Sequence, residues 1–261
     1  MDPVRESAVA GLFYPAGSGE LRKSVEGYLA AAGAAAGSPK ALVAPHAGYV
    51  YSGPVAAAAY ASLAEARETV RRVVLLGPAH RMALSGMAIP SAKFLATPLG
   101  DVPVDAEAFD IARGMPKVRV FDAPFEDEHS LEVQLPFLQV VLDEFRVLPV
   151  LVGQVPPEPV ADLIEALWGG EETRIIVSSD LSHYHDYESA QRIDQHTAEL
   201  IETLRFEELT PEHACGCHPL RGLLKVARAK GLLIHAVDVR NSGDTAGPRG
   251  RVVGYGSFLV G

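Results

Sequence analysis

Short apolar runs alternate with longer stretches of helical pattern along almost the whole of this chain, and few folds accommodate that alternation. Residues 41–45, 72–77, 146–152 and 174–178 are largely apolar and read as strands, with further strands at 86–90, 232–239 and 252–259. Helical patterns at 54–66, 105–113, 130–145, 157–168, 187–204 and 219–230 separate them. Asp105 is placed to cap its helix, and Pro136 interrupts the 130–145 helix near its start. A strand without polar alternation needs cover on both faces, and a helix between two strands allows them to pair in parallel. The sequence therefore predicts an α/β fold, a single three-layer α/β/α domain over residues 1–261 with a mixed, largely parallel central sheet. No low-complexity linker or internal repeat divides it.

Composition narrows the function classes. With 48% of its 261 residues hydrophobic, the chain has ample material for a core. A formal charge of −10 argues against nucleic acid or an anionic membrane as partner, since both select basic patches. No apolar run approaches the roughly 18 residues of a membrane-spanning helix. The alanine-rich stretch at 29–37 is too short and too far inside the chain for a signal peptide. The two cysteines, Cys215 and Cys217, flank a single glycine and offer no disulfide framework. The expectation is a soluble, cytoplasmic protein.

Three of the strands hand over to a histidine. His46 follows the run at 41–45, His80 follows Gly77 and Pro78, and His183 follows the run ending at Ser178. In open α/β sheets, ligands bind beyond the carboxyl ends of the strands, and adjacent strands lie only about 5 Å apart. Imidazoles arriving there from separate strands can share one ion, and imidazole is the commonest protein ligand of zinc, iron, copper and nickel. A mononuclear transition-metal pocket is the first expectation. Pro45, Gly48 and Gly53 give the His46 loop a special backbone shape, with Tyr49 and Tyr51 either lining a pocket or packing beneath the loop. A tight turn in which His46 caps the next helix is the plainer alternative.

The stretch from Ser178 to Asp186 concentrates serine, aspartate and histidine, a mixture costly to bury unless paired, metal-bound or reactive. Asp180 and His183 share one face if the segment turns helically. A capping turn for the following helix accounts for Ser182 and Asp186 but not for the histidines; His185 and His196 read as surface residues. His129 and Glu132, three apart at the start of an apolar helix, are pocket candidates or ordinary helix-terminal groups. The sequence Cys215-Gly216-Cys217-His218 carries soft ligands at a spacing unlike the usual zinc patterns, so Cys215 is read as a pocket-wall residue or reactive thiol. Finally, the turn at 241–244 offers Asp244 as an oxygen ligand beside Ser242. With His46 and His80 it would complete a two-histidine, one-carboxylate set, which leaves open positions and suits non-haem Fe(II). A plain turn is the alternative, these being standard turn residues.

Taken together the motifs resemble the Memo family nearly end to end. The residues concerned are 10–15 (AGLFYP), 44–49 (APHAGY), 76–80 (LGPAH), 128–132 (EHSLE), 178–183 (SSDLSH), 214–216 (ACG) and 252–255 (VVGY). The resemblance implies a fold similar to that of class III extradiol dioxygenases, which cleave catechol rings with Fe(II) and oxygen. It implies that His46 and His80 are the metal-binding histidines and that His183 is the acid/base histidine, with Asp180 beside it in support. The glutamate that completes the dioxygenase set has no evident counterpart. Eukaryotic relatives look to carry a cysteine in the corresponding late loop, where this chain has Ser242 and Asp244. Bacterial relatives are associated with an AMMECR-type protein and a radical SAM protein, which implies a shared pathway; eukaryotic relatives are linked to signalling and protein binding.

Three functions follow as expectations. The first is a redox enzyme in which His46, His80 and Asp244 hold Fe(II), His183 moves protons with Asp180 as partner, and the substrate is a small planar or aromatic molecule suited to Tyr49 and Tyr51. The second is a non-catalytic module that uses the pocket to bind a peptide or protein. The third is a zinc-dependent hydrolase, with His46, His80 and Asp180 holding the metal. Iron is the expected ion, with copper and zinc as the alternatives.

Overall fold

The computed structural model describes residues 2–33 and 37–261. Its strands are β1 (Val4–Arg5), β2 (Ala41–Ala44), β3 (Arg72–Pro78), β4 (Met87–Ile89), β5 (Phe94–Thr97), β6 (Gly100–Pro103), β7 (Val118–Val120), β8 (Arg146–Val152), β9 (Thr173–Ser178), β10 (His183–His185), β11 (Ile234–Asn241) and β12 (Val252–Val260). Its α-helices are α1 (Ser18–Ala32), α2 (Tyr49–Tyr60), α3 (Ala106–Arg113), α4 (Leu135–Val141), α5 (Pro157–Ala166), α6 (Tyr187–Glu202) and α7 (Cys217–Lys230). The large sheet runs β10-β12-β2-β9-β3-β8-β4-β7, with β11 also paired to β12. Its centre, β2-β9-β3-β8, is parallel, whereas β12 joins β2 and β4 joins β8 antiparallel. A small second sheet, β1-β5-β6, lies apart from it.

Period-two alternation in the central strands explains the layers. Val43, Val74, Leu76, Leu148, Val150, Ile175 and Val177 face one core, which α5, α6 and α7 cover. Leu42, Val73, Leu75, Val147, Leu151 and Ile176 face the other, beneath α1, α2 and α4. Both faces being covered, these strands need no polar side, and their nearly continuous apolar sequences follow. The expected α/β/α architecture is the one observed.

Local differences have local causes. Helix α1 escapes sequence reading because only Leu21 and Val25 are buried in its 15 residues. Of the alanine-rich stretch at 29–37, the beginning closes α1, and residues 34–36 lie outside the described residues. Helix α2 begins at Tyr49 rather than at 54, with Pro54 inside it. The expected 130–145 helix is shorter: a 3-10 turn over Glu132–Gln134 leads into α4, where Pro136 sits in the first turn, and Leu142 is already extended. Proline is tolerated at that end because the first helical N–H groups have no intrahelical partner. Asp105 does cap α3, accepting a hydrogen bond from the Ala108 amide. Among the described residues no helix is long and apolar enough to cross a membrane.

The register fixes what can meet at the top of the sheet. Ala44 pairs with Ser178 and Leu76 with Val177, so β2, β9 and β3 end side by side. From β9 the chain crosses the end of β2, donating from Ser179 N to Ala44 O, and then pairs with β12 as β10.

Candidate metal centre

His46, His80 and Cys215 each bring one ligand atom to a common point, all within 4.8 Å of one another. His46 leaves β2 with its ring buried, its backbone N–H donating to Asp180 Oδ1 at 2.7 Å. Its Nε2 lies 3.3 Å from Cys215 Sγ and 4.0 Å from Asp180 Oδ2. His80 leaves β3 and is gripped by Glu128, whose two oxygens meet its backbone N–H and its ring Nδ1, the latter at 3.0 Å. The ring planes of His46 and His80 stand edge to face, 5.1 Å between centroids.

Cys215 arrives from the other side of the sheet top, on the turn before α7. Its amide donates to Asp180 O, and the Gly216 amide donates to Ser179 Oγ at 2.9 Å. Glycine is required there for closeness: a Cβ at 216 would stand 2.6 Å from Ser179 Cβ and 2.8 Å from Ser178 O.

The electrostatics of the cluster are set by burial, although His80 itself reaches the surface. Burial pushes the His46 ring well below its ordinary range, and the neighbouring His80 and His129 push it further. Burial likewise raises the Cys215 thiol, with Asp180 adding to the effect. Burial lifts Asp180 to about 7, against the opposing pull of amide donors from His46 and Ala47. Glu128 is the exception. Burial alone would raise it, but hydrogen bonds from His80 and the amide of Ser130 bring it down to about 2. Its carboxylate therefore accepts from His80 Nδ1–H, which leaves Nε2 of that ring as the free nitrogen. Two imidazoles and a thiol are a donor set for late first-row ions and zinc, and they do not match the all-oxygen shells of magnesium or calcium. A cation of that kind inverts the local preferences and binds the thiol deprotonated.

The remaining sequence candidates divide. His129 belongs to the site: its ring stacks on His80 at 5.0 Å and meets Phe13 at 4.6 Å, and burial lowers it to about 4 against the opposing pull of Glu128. His183 stands on β10, its ring lowered by burial with His80 among the contributing neighbours. Asp180, expected to partner His183, instead hydrogen-bonds the His46 amide. Tyr49 packs beneath the loop, its hydroxyl donating to Val133 O and its ring against Phe137, while Tyr51 is exposed on α2. Glu132 is buried away from the cluster, binding Arg5, the Ala8 and Val9 amides and the Tyr14 hydroxyl. Asp244 and Ser242 are occupied in their own turn: Asp244 accepts from the Asn241 amide and the Tyr187 hydroxyl, and Ser242 Oγ accepts from Val253 N. The donor that meets the two histidines is Cys215, not Asp244, because the turn at 241–244 folds its carboxylate into a capping box.

Sequence reading missed Glu128, Ser178 and Gln134. An acid immediately before His129 was visible, but nothing local shows that it faces the strand end carrying His80. Ser178 lay inside a noted polar run, and Gln134, fully buried, has no sequence signal at all.

Fold and site thus define an α/β/α protein with an imidazole–thiol cluster at the carboxyl ends of its parallel strands. The model of the family described as Memo-like protein matches residues 5–259. Similar curated proteins include a MEMO1 family protein of Aquifex aeolicus, 35% identical with 97% of each chain covered. Another MEMO1 family protein, from Methanopyrus kandleri, is 36% identical with 98% of each chain covered. One from Thermotoga neapolitana is 35% identical, covering 98% of this chain and 99% of its own. The chain belongs to the Memo family.

Proposed function

We propose that the cluster is the transition-metal pocket of a cytoplasmic redox enzyme, with His46, His80 and Cys215 as protein ligands. The observation that carries this reading is the convergence of their three ligand atoms within 4.8 Å at the strand ends. Iron is the ion favoured by the resemblance to class III extradiol dioxygenases, and copper and zinc suit the same donors. When bound, a redox-active ion would supply electron exchange and a Lewis-acid position for a small planar or aromatic substrate.

The chain's own residues do the rest. Glu128 orients His80 by gripping both its amide and its ring. The His129 ring stacks flat beside His80, with Phe13 edge-on against it. Asp180, lifted to about 7, holds a proton near neutrality beside the His46 ring. His183, lowered by burial, is neutral at that pH and accepts a proton from substrate. A functional link to AMMECR-type and radical SAM proteins belongs to the same proposal, resting on family resemblance alone.

A second reading is a peptide-binding pocket. Leu12, Val50, Tyr51 and Tyr184 are all exposed, and each is next to, or a few residues from, a residue of the site. The test is metal content after chelator-free, anaerobic purification, comparing wild type with His46→Ala/His80→Ala and Cys215→Ser. One equivalent of iron or copper, lost in both variants, supports the redox reading, and oxygen uptake with catechols then tests its chemistry. Zinc lost in the same way favours hydrolysis. Failure to take up any of these ions, even on reconstitution, removes the metal reading and leaves peptide binding.

A further inference from the structure

Ser178 ends β9 directly behind His46 and is fully buried. Its Oγ meets three partners: Ser130 O at 2.6 Å, Gln134 Nε2 at 2.7 Å and His46 Nδ1 at 2.8 Å. A hydroxyl has one proton and two lone pairs. The Ser130 carbonyl only accepts, so the hydroxyl proton is committed to it. The Gln134 amide is fixed independently. Its Nε2 also lies 2.9 Å from Pro45 O, which only accepts, and its Oε1 receives the Tyr60 hydroxyl at 2.9 Å. Gln134 therefore donates to Ser178 and fills one lone pair.

The one lone pair left faces His46 Nδ1, which must then carry a proton. In the reverse arrangement, with Ser178 donating to His46, two bare oxygens of Ser178 and Ser130 would face each other at 2.6 Å. That contact is costly in a buried site. We infer that Ser178, locked by the Ser130 carbonyl and Gln134, is a positioning residue that holds His46 as the Nδ1–H tautomer. The lone pair of Nε2 is thereby kept on the side of Cys215. The two rings of the cluster reach the same tautomer by different devices. His80 uses a carboxylate; His46 uses a neutral hydroxyl, which adds no negative charge beside Asp180.

The ordering itself is independent of any bound ion, and its consequence for affinity rests on the metal-pocket reading. The test is ring-nitrogen NMR of 15N-histidine apoprotein, with His46 assigned by comparison with His46→Gln. Wild type is expected to show His46 Nδ1 protonated and Nε2 bare. In Ser178→Ala the ring loses its acceptor, and the Nδ1–H form gives way to Nε2–H or a mixture. Zn(II) affinity measured by calorimetry is expected to fall about 10–100-fold in that variant, as for other lost outer-shell partners. A wild-type His46 protonated on Nε2, or a Ser178→Ala ring with unchanged nitrogens, overturns the assignment. The wild-type spectrum decides the matter alone if the variant does not fold. A correct tautomer in a wild-type protein that takes up no Zn(II) supports the ordering and counts against the metal pocket, so the two failures are distinguishable.

Discussion

Glu128 holds His80 at two points, one carboxylate oxygen on its backbone amide and the other on ring Nδ1. The same carboxylate also accepts the amides of His129 and Ser130, so a single buried acid ties together the two segments that carry His80 and His129. Its depression from 4.5 to about 2 carries a stability consequence. A depressed acid contributes stability above its unfolded value and loses it as pH falls through the folded one. Wild type should therefore lose up to about 3 kcal/mol between pH 4.5 and 2, a loss that Glu128→Gln does not share. Urea unfolding across that range checks the slope, and Zn(II) titration of the variant should show affinity reduced about 10–100-fold.

Glu132, a pocket candidate or a helix-terminal acid by sequence, anchors the amino-terminal segment. Arg5, the Ala8 and Val9 amides and the Tyr14 hydroxyl all donate to it in a buried setting. Glu132→Ala leaves these donors and the Arg5 charge without their acceptor, at a cost of about 3–5 kcal/mol. Hydrogen exchange should show the Ala8 and Val9 amides losing protection first. Unchanged protection there would show that the segment is held by its apolar contacts alone.

The two histidines of the cluster were legible because each follows an uninterrupted apolar strand, and strand ends in a covered parallel sheet are where polar groups can gather. The third donor was not. Cys215 belongs to a turn distant in sequence, and only the close approach of Gly216 to Ser178 and Ser179 brings its sulfur to His46. Asp244 had the right chemistry for a ligand and was misplaced because an Asn-Ser-Gly-Asp turn also satisfies itself internally. For Tyr49 and Glu132 the sequence leaves a pocket role and a packing role open, and tertiary packing turns both side chains into the interior. The layers were legible from the strands, whereas α1 and the small β1-β5-β6 sheet lacked enough apolar pattern to announce themselves.

Asp194 on α6 lies under the β9–β10 connection, buried, with Oδ1 accepting from the Ser182 amide. Among the described residues Oδ2 has no hydrogen-bond partner, and neither does the hydroxyl of Ser182. Burial lifts this acid from 3.8 to about 6, outweighing the hydrogen bond from the Ser182 amide. A raised acid binds its proton more tightly folded than unfolded, so stability falls as pH rises from 3.8 to about 6. Asp194→Asn removes that slope. The variant should match wild type near pH 4 and exceed it by up to about 3 kcal/mol at pH 8. Parallel slopes for the two proteins in urea titrations would show that Asp194 stays ionised when folded.

Gly216 gives the sharpest separation between fold and site. An added Cβ would meet the Ser178 carbonyl oxygen at 2.8 Å and the Ser179 Cβ at 2.6 Å, neither of them the yielding tip of a long side chain. The turn before α7 must back away, carrying Cys215 with it, while the strands and both cores stay unaltered. Gly216→Ala is therefore expected to retain a cooperative unfolding transition, destabilised by about 1–3 kcal/mol as for other overpacked interior sites. Its Co(II) complex should lose the sulfur-to-metal charge-transfer absorption expected of a Cys215 ligand, as Cys215→Ser should. Retention of that band in Gly216→Ala would mean that the turn tolerates the methyl group. Its retention in Cys215→Ser would mean that the sulfur ligand is not Cys215.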